Sequence, residues 1–148
     1  WDIAFDEFDA GGPEACAAVN CNGQRRGVIL YLHGGGYCAG SLAYAKGFGS
    51  VIAELTQVKT VCLNYRLAPE HPYPAALTDA LAAYRALLRQ RYAPEDILLM
   101  GESAGGGLCY ALAMKLKTLS LPQPAGIVAI SPWMDLLMRG GSMESNAQ

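Results

Sequence analysis

Hydrophobic positions change their period along the chain, and the changes divide it into strands and helices. Trp1, Ile3 and Phe5 alternate with Asp2, Ala4 and Asp6, the two-residue period of a half-buried strand. Gly11-Gly12-Pro13 is a turn. Ala15 to Val19 reads as a second short strand, closed by Asn20-Cys21-Asn22-Gly23, and Asn-Gly is a strong hairpin-turn pair. Gly27 to Leu32 follows as a continuous apolar run, which suits a strand covered on both faces. Phe48 to Thr56 can form a helix, and Thr60 to Leu63 a strand. Pro74 starts a second helix, since proline suits the first turn. Leu77, Leu81, Tyr84 and Leu88 then give it one apolar stripe. Ala93-Pro94 breaks the chain before a strand from Ile97 to Met100, a helix from Ala104 to Lys117 and a strand from Gly126 to Ile130. Arg139 to Gln148 is polar without a period and reads as loop.

Alternation of apolar strands with helices implies the α/β class: a mostly parallel sheet with helices on both faces, joined by right-handed crossovers. The opening hairpin adds antiparallel strands at one edge. No internal repeat or low-complexity linker divides the chain.

At 148 residues the chain is long enough for a real core. It is 52% hydrophobic and only 16% charged, which suggests doubly buried strands or surfaces covered by further polypeptide. A net charge of −2 without a basic block argues against a nucleic-acid partner. The apolar runs are too short to span a bilayer. The start at Trp1, without an initiator Met, suggests a fragment or a processed product. The five cysteines, Cys16, Cys21, Cys38, Cys62 and Cys109, are odd in number and form no C-x-x-C. Neither a zinc site nor a redox pair is indicated; reduced, mostly buried thiols of a cytoplasmic protein are the expectation.

Candidate chemistry begins at Gly101-Glu102-Ser103-Ala104-Gly105. A Gly-x-Ser-x-Gly motif between a strand and a helix is the pattern of a nucleophile elbow, with Ser103 pushed out at the end of the strand. The same turn could hold a phosphate at the helix N-terminus, but no Gly-Lys-Ser/Thr follows. His33-Gly34-Gly35-Gly36 follows the Gly27 to Leu32 strand directly. Three glycines let the backbone turn sharply and expose N–H donors for an oxyanion. A serine nucleophile needs a base, yet the only histidines are His33 and His71, both upstream of Ser103. His33 is expected to hold the glycine loop. His71 lies in Tyr65-Arg66-Leu67-Ala68-Pro69-Glu70-His71-Pro72-Tyr73-Pro74, a proline-stiffened loop. Within it Arg66 and Glu70 could pair, with Asp79 joining from the next helix. Glu102 is expected to make a structural contact, and Asp135, past the last strand, to belong to a pocket wall rather than act as a triad acid.

Taken together, HGGGY, YRLAPEHPYPAAL, GESAGGG and SPWMDL, in this order and spacing, resemble the bacterial hormone-sensitive-lipase group of α/β-hydrolases. The resemblance implies a carboxylesterase or lipase acting on short- to medium-chain esters, without metal or organic cofactor. It implies Ser103 as nucleophile and the N–H groups of Gly35, Gly36 and Ala104 as oxyanion hole, with His33, Gly34, Gly101, Glu102 and Gly105 as supporting motif residues. It also implies that the triad Asp and His come later, on loops after two further strands. Residues 1–148 are then an incomplete catalytic domain, lacking the N-terminal cap and the C-terminal part, and inactive alone. The complete protein is a candidate homo-oligomer. The alternatives are a small-molecule binding module on the same fold, or an inactive truncated hydrolase.

Overall fold

The computed structural model describes residues 2–141. Trp1 and positions 142–148 of the expected terminal loop lie outside them. Among the described residues six strands form one sheet: β1 (Ile3–Glu7), β2 (Glu14–Asn20), β3 (Arg25–Leu32), β4 (Val58–Asn64), β5 (Ile97–Glu102) and β6 (Gly126–Ile130). Their order is β1-β2-β4-β3-β5-β6. β1 pairs with β2, and β2 with β4, antiparallel, whereas β4, β3, β5 and β6 run parallel. The helices are α1 (Leu42–Thr56), α2 (Ala75–Arg89) and α3 (Ala104–Thr118), with a 3-10 turn at Pro94–Asp96.

The helices cover both faces, and the core is split accordingly. On one face Ala45 and Ile52 of α1 pack on Cys16, Ile29, Tyr31 and Cys62. On the other, Ala80, Ala83, Tyr84 and Leu87 of α2 and Leu108, Cys109, Leu112 and Leu116 of α3 pack on Leu30, Leu32, Val61, Leu63 and Leu99. Neighbouring residues in β3 thus serve opposite layers, which explains the unbroken apolar run.

Four expectations are corrected. Asn22-Gly23 does not close a hairpin between neighbours, because β4 inserts between β2 and β3, pairing antiparallel with the first and parallel with the second. β1 is not half-buried: it is an edge strand with Phe5 exposed. α1 begins six residues earlier than Phe48, at Leu42, because Ser41 caps it and accepts the Tyr44 N–H at 3.2 Å. In α2 the most buried face runs through Ala80, Ala83, Tyr84 and Leu87, with Leu77, Leu81 and Leu88 only partly buried beside it. Small alanines allow the close approach there, and of the expected stripe Tyr84 alone is fully buried while the three leucines pack against the edge of the same core.

One register positions the site. β3 and β5 are parallel neighbours with Leu32 opposite Gly101. The segments leaving their carboxyl ends, His33-Gly34-Gly35-Gly36 and Glu102-Ser103, therefore start side by side, where ligands gather in open parallel sheets.

Candidate active site

Ser103 sits between β5 and α3 with φ 50° and ψ −120°, a region non-glycine residues rarely occupy and which costs about 1–3 kcal/mol. Three backbone hydrogen bonds hold it there. Its N–H donates to the Ile130 carbonyl at 2.9 Å, and its own carbonyl accepts from Gly107 at 3.1 Å and Trp133 at 2.8 Å. The side chain is exposed. The flanking glycines are demanded by close packing: a Cβ on Gly101 would lie 2.5 Å from the Gly105 carbonyl and 2.7 Å from the Leu32 oxygen. A Cβ on Gly105 would fall on the Leu32 and His33 carbonyls. The elbow thus leans directly on the end of β3.

The glycine loop is anchored from below. The buried Gly34 N–H donates to Glu102 Oε1 at 2.6 Å, and the Tyr44 hydroxyl donates to the same oxygen at 3.2 Å. Glu102 is therefore the structural contact expected, tying the residue before the nucleophile to the loop opposite. Gly35 takes φ +116°, and its carbonyl accepts from Cys38 at 3.1 Å and Ala39 at 2.9 Å. Among the described residues no hydrogen bond occupies the N–H groups of Gly35, Gly36 or Ala104. Ala104 opens α3, where the first N–H groups have no partner within the helix.

His33 is fully buried. Its ring stacks on Tyr65 with centroids 4.2 Å apart, and Nδ1 lies 2.6 Å from the Gly34 carbonyl, which assigns the proton to Nδ1. Burial holds its pKa below the ordinary histidine value, against the opposing pull of the Gly34 carbonyl and Glu102. The neighbouring Tyr31 hydroxyl, also buried, is pushed well above the tyrosine range by burial first and the Glu102 charge second. His33 is a support of the loop and makes no hydrogen bond to Ser103.

The proline-rich loop is fixed by Arg66 and Asp79. Buried Asp79 accepts the Arg66 backbone N–H at 2.9 Å and is gripped by the guanidinium at 2.8 and 3.0 Å. Glu70, the nearer candidate in sequence, stays exposed at the surface. His71 is exposed; its N–H donates to the Leu67 carbonyl at 2.8 Å. With Tyr37, Leu77, Leu108 and Leu136 it lines an apolar cavity of about 210 Å³. The loop after β6 therefore contributes a wall through Leu136. Asp135 instead turns that loop, accepting the backbone N–H groups of Leu137 at 3.0 Å and Arg139 at 3.1 Å. These donors hold its carboxyl below the usual range.

Two contributors escaped the sequence reading. Tyr44 reaches Glu102 from α1, and its exposed position in the helix carries no periodic signal. Gly107 lets the Trp133 carbonyl approach α3, since a Cβ there would meet that oxygen; the unusual run Gly105-Gly106-Gly107 at the start of a helix was its visible trace.

Residues 29–148 match the family described as alpha/beta hydrolase fold. An acetyl-hydrolase of Streptomyces hygroscopicus is 44% identical over 115 residues, which are 78% of this chain and 38% of that protein. An esterase of Acinetobacter venetianus is 37% identical over 119 residues, 80% of this chain and 39% of its own length. A crystal structure of an esterase from the bacterial hormone-sensitive lipase family superposes with a TM-score of 0.93 at 41% identity, over 99% of this chain and 49% of that one. EstE5, in a crystal soaked with p-nitrophenyl butyrate, gives 0.92 at 40% identity, with 99% and 50% covered. The chain thus spans about half the length of these solved structures, and less of the curated relatives it matches. The chain therefore belongs to the α/β-hydrolase family, in its hormone-sensitive-lipase-type branch.

Proposed function

We propose that this chain carries the nucleophile and oxyanion hole of a serine carboxylesterase acting on short- to medium-chain esters. The observation that carries the reading is the pairing of a strained, exposed Ser103 with unoccupied N–H donors at Gly35, Gly36 and Ala104. Ser103 Oγ attacks the ester carbonyl, and these three donors stabilise the oxyanion as it develops. The tetrahedral intermediate collapses, the alcohol leaves, and water hydrolyses the acyl-enzyme. The mechanism calls for neither metal nor organic cofactor. It does need a base, and neither His33 nor His71 hydrogen-bonds Ser103. The complete enzyme therefore takes its triad His and Asp from outside these 148 residues, which alone are inactive. An acetyl-hydrolase among the relatives and a p-nitrophenyl butyrate soak of a structural neighbour support small acyl groups.

In the full-length protein, Ser103→Ala should lower p-nitrophenyl butyrate turnover by about four orders of magnitude or more. Unaltered turnover would refute the assignment. The alternative is a small-molecule binding module on the same fold; ester binding by the full-length protein without turnover would select it.

A further inference from the structure

Cys16 in β2 and Cys62 in β4 are direct partners across the antiparallel ladder. Side chains of opposed residues leave a sheet on the same face, and both cysteines belong to the layer under α1. Opposed Cα atoms lie about 4.5–5.5 Å apart, within the roughly 4.4–6.8 Å that a disulfide spans. Both thiols are free and buried. The Cys62 thiol donates to the Thr60 carbonyl at 3.9 Å, and the adjacency of the two sulfurs lowers the Cys16 pKa, against the opposing effect of burial, and raises that of Cys62. The Cys62 sulfur sits in a notch of α1 at Gly49, where a Cβ would collide with it. Cys16 also lines an open cavity of about 520 Å³ with Phe5, Glu14, Leu42 and Lys46, so a small solute can reach it. The Lys46 ammonium, 4.9 Å above the Phe5 ring, adds a smaller charge effect that favours thiolate at Cys16.

We propose that Cys16 and Cys62 form a redox-active pair, in which Cys16 is oxidised by a small hydroperoxide and Cys62 closes a reversible disulfide from β2 to β4. The Cys16 thiolate attacks the terminal oxygen of ROOH. The O–O bond breaks, and the departing alkoxide takes a proton to become ROH. Cys16 is now a sulfenic acid. The Cys62 sulfur attacks the Cys16 sulfur, the S–O bond breaks, and hydroxide leaves as water with the Cys62 proton. Two thiols and one hydroperoxide give one disulfide, one alcohol and one water. The closed bond would lock the antiparallel edge to the parallel body of the sheet, away from Ser103.

The test uses the full-length protein with Cys21→Ser and Cys38→Ser, which removes the exposed thiols of this part. The folded protein is treated with hydrogen peroxide, blocked with N-ethylmaleimide, denatured and mapped by peptide mass. The expected product is one linked peptide pair joining Cys16 to Cys62, lighter by two hydrogens and released by dithiothreitol, with a raised thermal midpoint. Adding Cys62→Ser should leave a dimedone-reactive sulfenic acid at Cys16. The same map on the unsubstituted chain covers the case in which a variant fails to fold. Recovery of Cys16 and Cys62 as free thiols after peroxide, or linkage only in denaturant, would overturn the proposal.

Discussion

Removal of the Glu102 carboxylate should loosen the glycine loop by an amount the structure bounds. Glu102 Oε1 accepts the Gly34 N–H at 2.6 Å and the Tyr44 hydroxyl at 3.2 Å. Gly34 is buried, so in Glu102→Ala its N–H loses its acceptor where water does not easily replace it; such a stranded donor costs about 1–3 kcal/mol. Tyr44 is 53% exposed and can turn its hydroxyl to solvent, so its bond adds little. The expected loss is therefore about 1–3 kcal/mol for Glu102→Ala. Glu102→Gln keeps an oxygen in the same place and should lose less than half of that. Urea unfolding of the full-length protein at neutral pH, followed by circular dichroism, reads this as a lower midpoint at constant slope. A Glu102→Ala midpoint equal to the parent would refute the anchoring role. Equal losses in both variants would show that charge, and not the acceptor, is what matters.

Other perturbations separate packing from propensity. Gly105→Ala drives a Cβ into the Leu32 and His33 carbonyls and should prevent cooperative folding, whereas Gly47→Ala, with open space around it in α1, should stabilise by about 0.8–1 kcal/mol; equal Tm changes would contradict the contact reading. Leu112→Ala empties a fully buried site between α3 and the sheet and should cost about 2–5 kcal/mol by urea unfolding. Burial lowers the His33 pKa, so the unfolded chain binds the proton more readily than the folded one. Its contribution is complete above about pH 6.5 and declines as pH falls through that value towards the folded pKa. The urea midpoint should drop over that window, and His33→Gln should flatten the drop; an unchanged slope in that variant would remove His33 as the cause.

Local signals made much of the fold legible. β6 occupies the residues its apolar run marked, and α3 starts at Ala104 directly after the elbow serine. Both are fixed by chemistry within a few residues: β-branched and apolar side chains in one case, a glycine-flanked turn in the other. The glycine loop was legible for the same reason, since a strand that ends in three glycines must change direction there. Where the sequence misled, a distant partner won. Arg66 ignores Glu70 within its own loop for Asp79, because the α2 carboxylate is buried and can take the backbone N–H as well as the guanidinium.

The sequence by itself determined the period of each element, the α/β class and the small set of residues able to turn the chain at Ser103 and Gly34–Gly36. These follow from steric and hydrophobic preferences that act over a few positions. Only the tertiary structure decided which strands become neighbours, and with them every contact across the sheet. Insertion of β4 between β2 and β3 overrode the Asn22-Gly23 hairpin signal and set Cys16 against Cys62. The register of Leu32 with Gly101 set the glycine loop against the elbow. Such pairings come from burying whole strand faces at once, a sum over many residues that no short stretch of sequence contains.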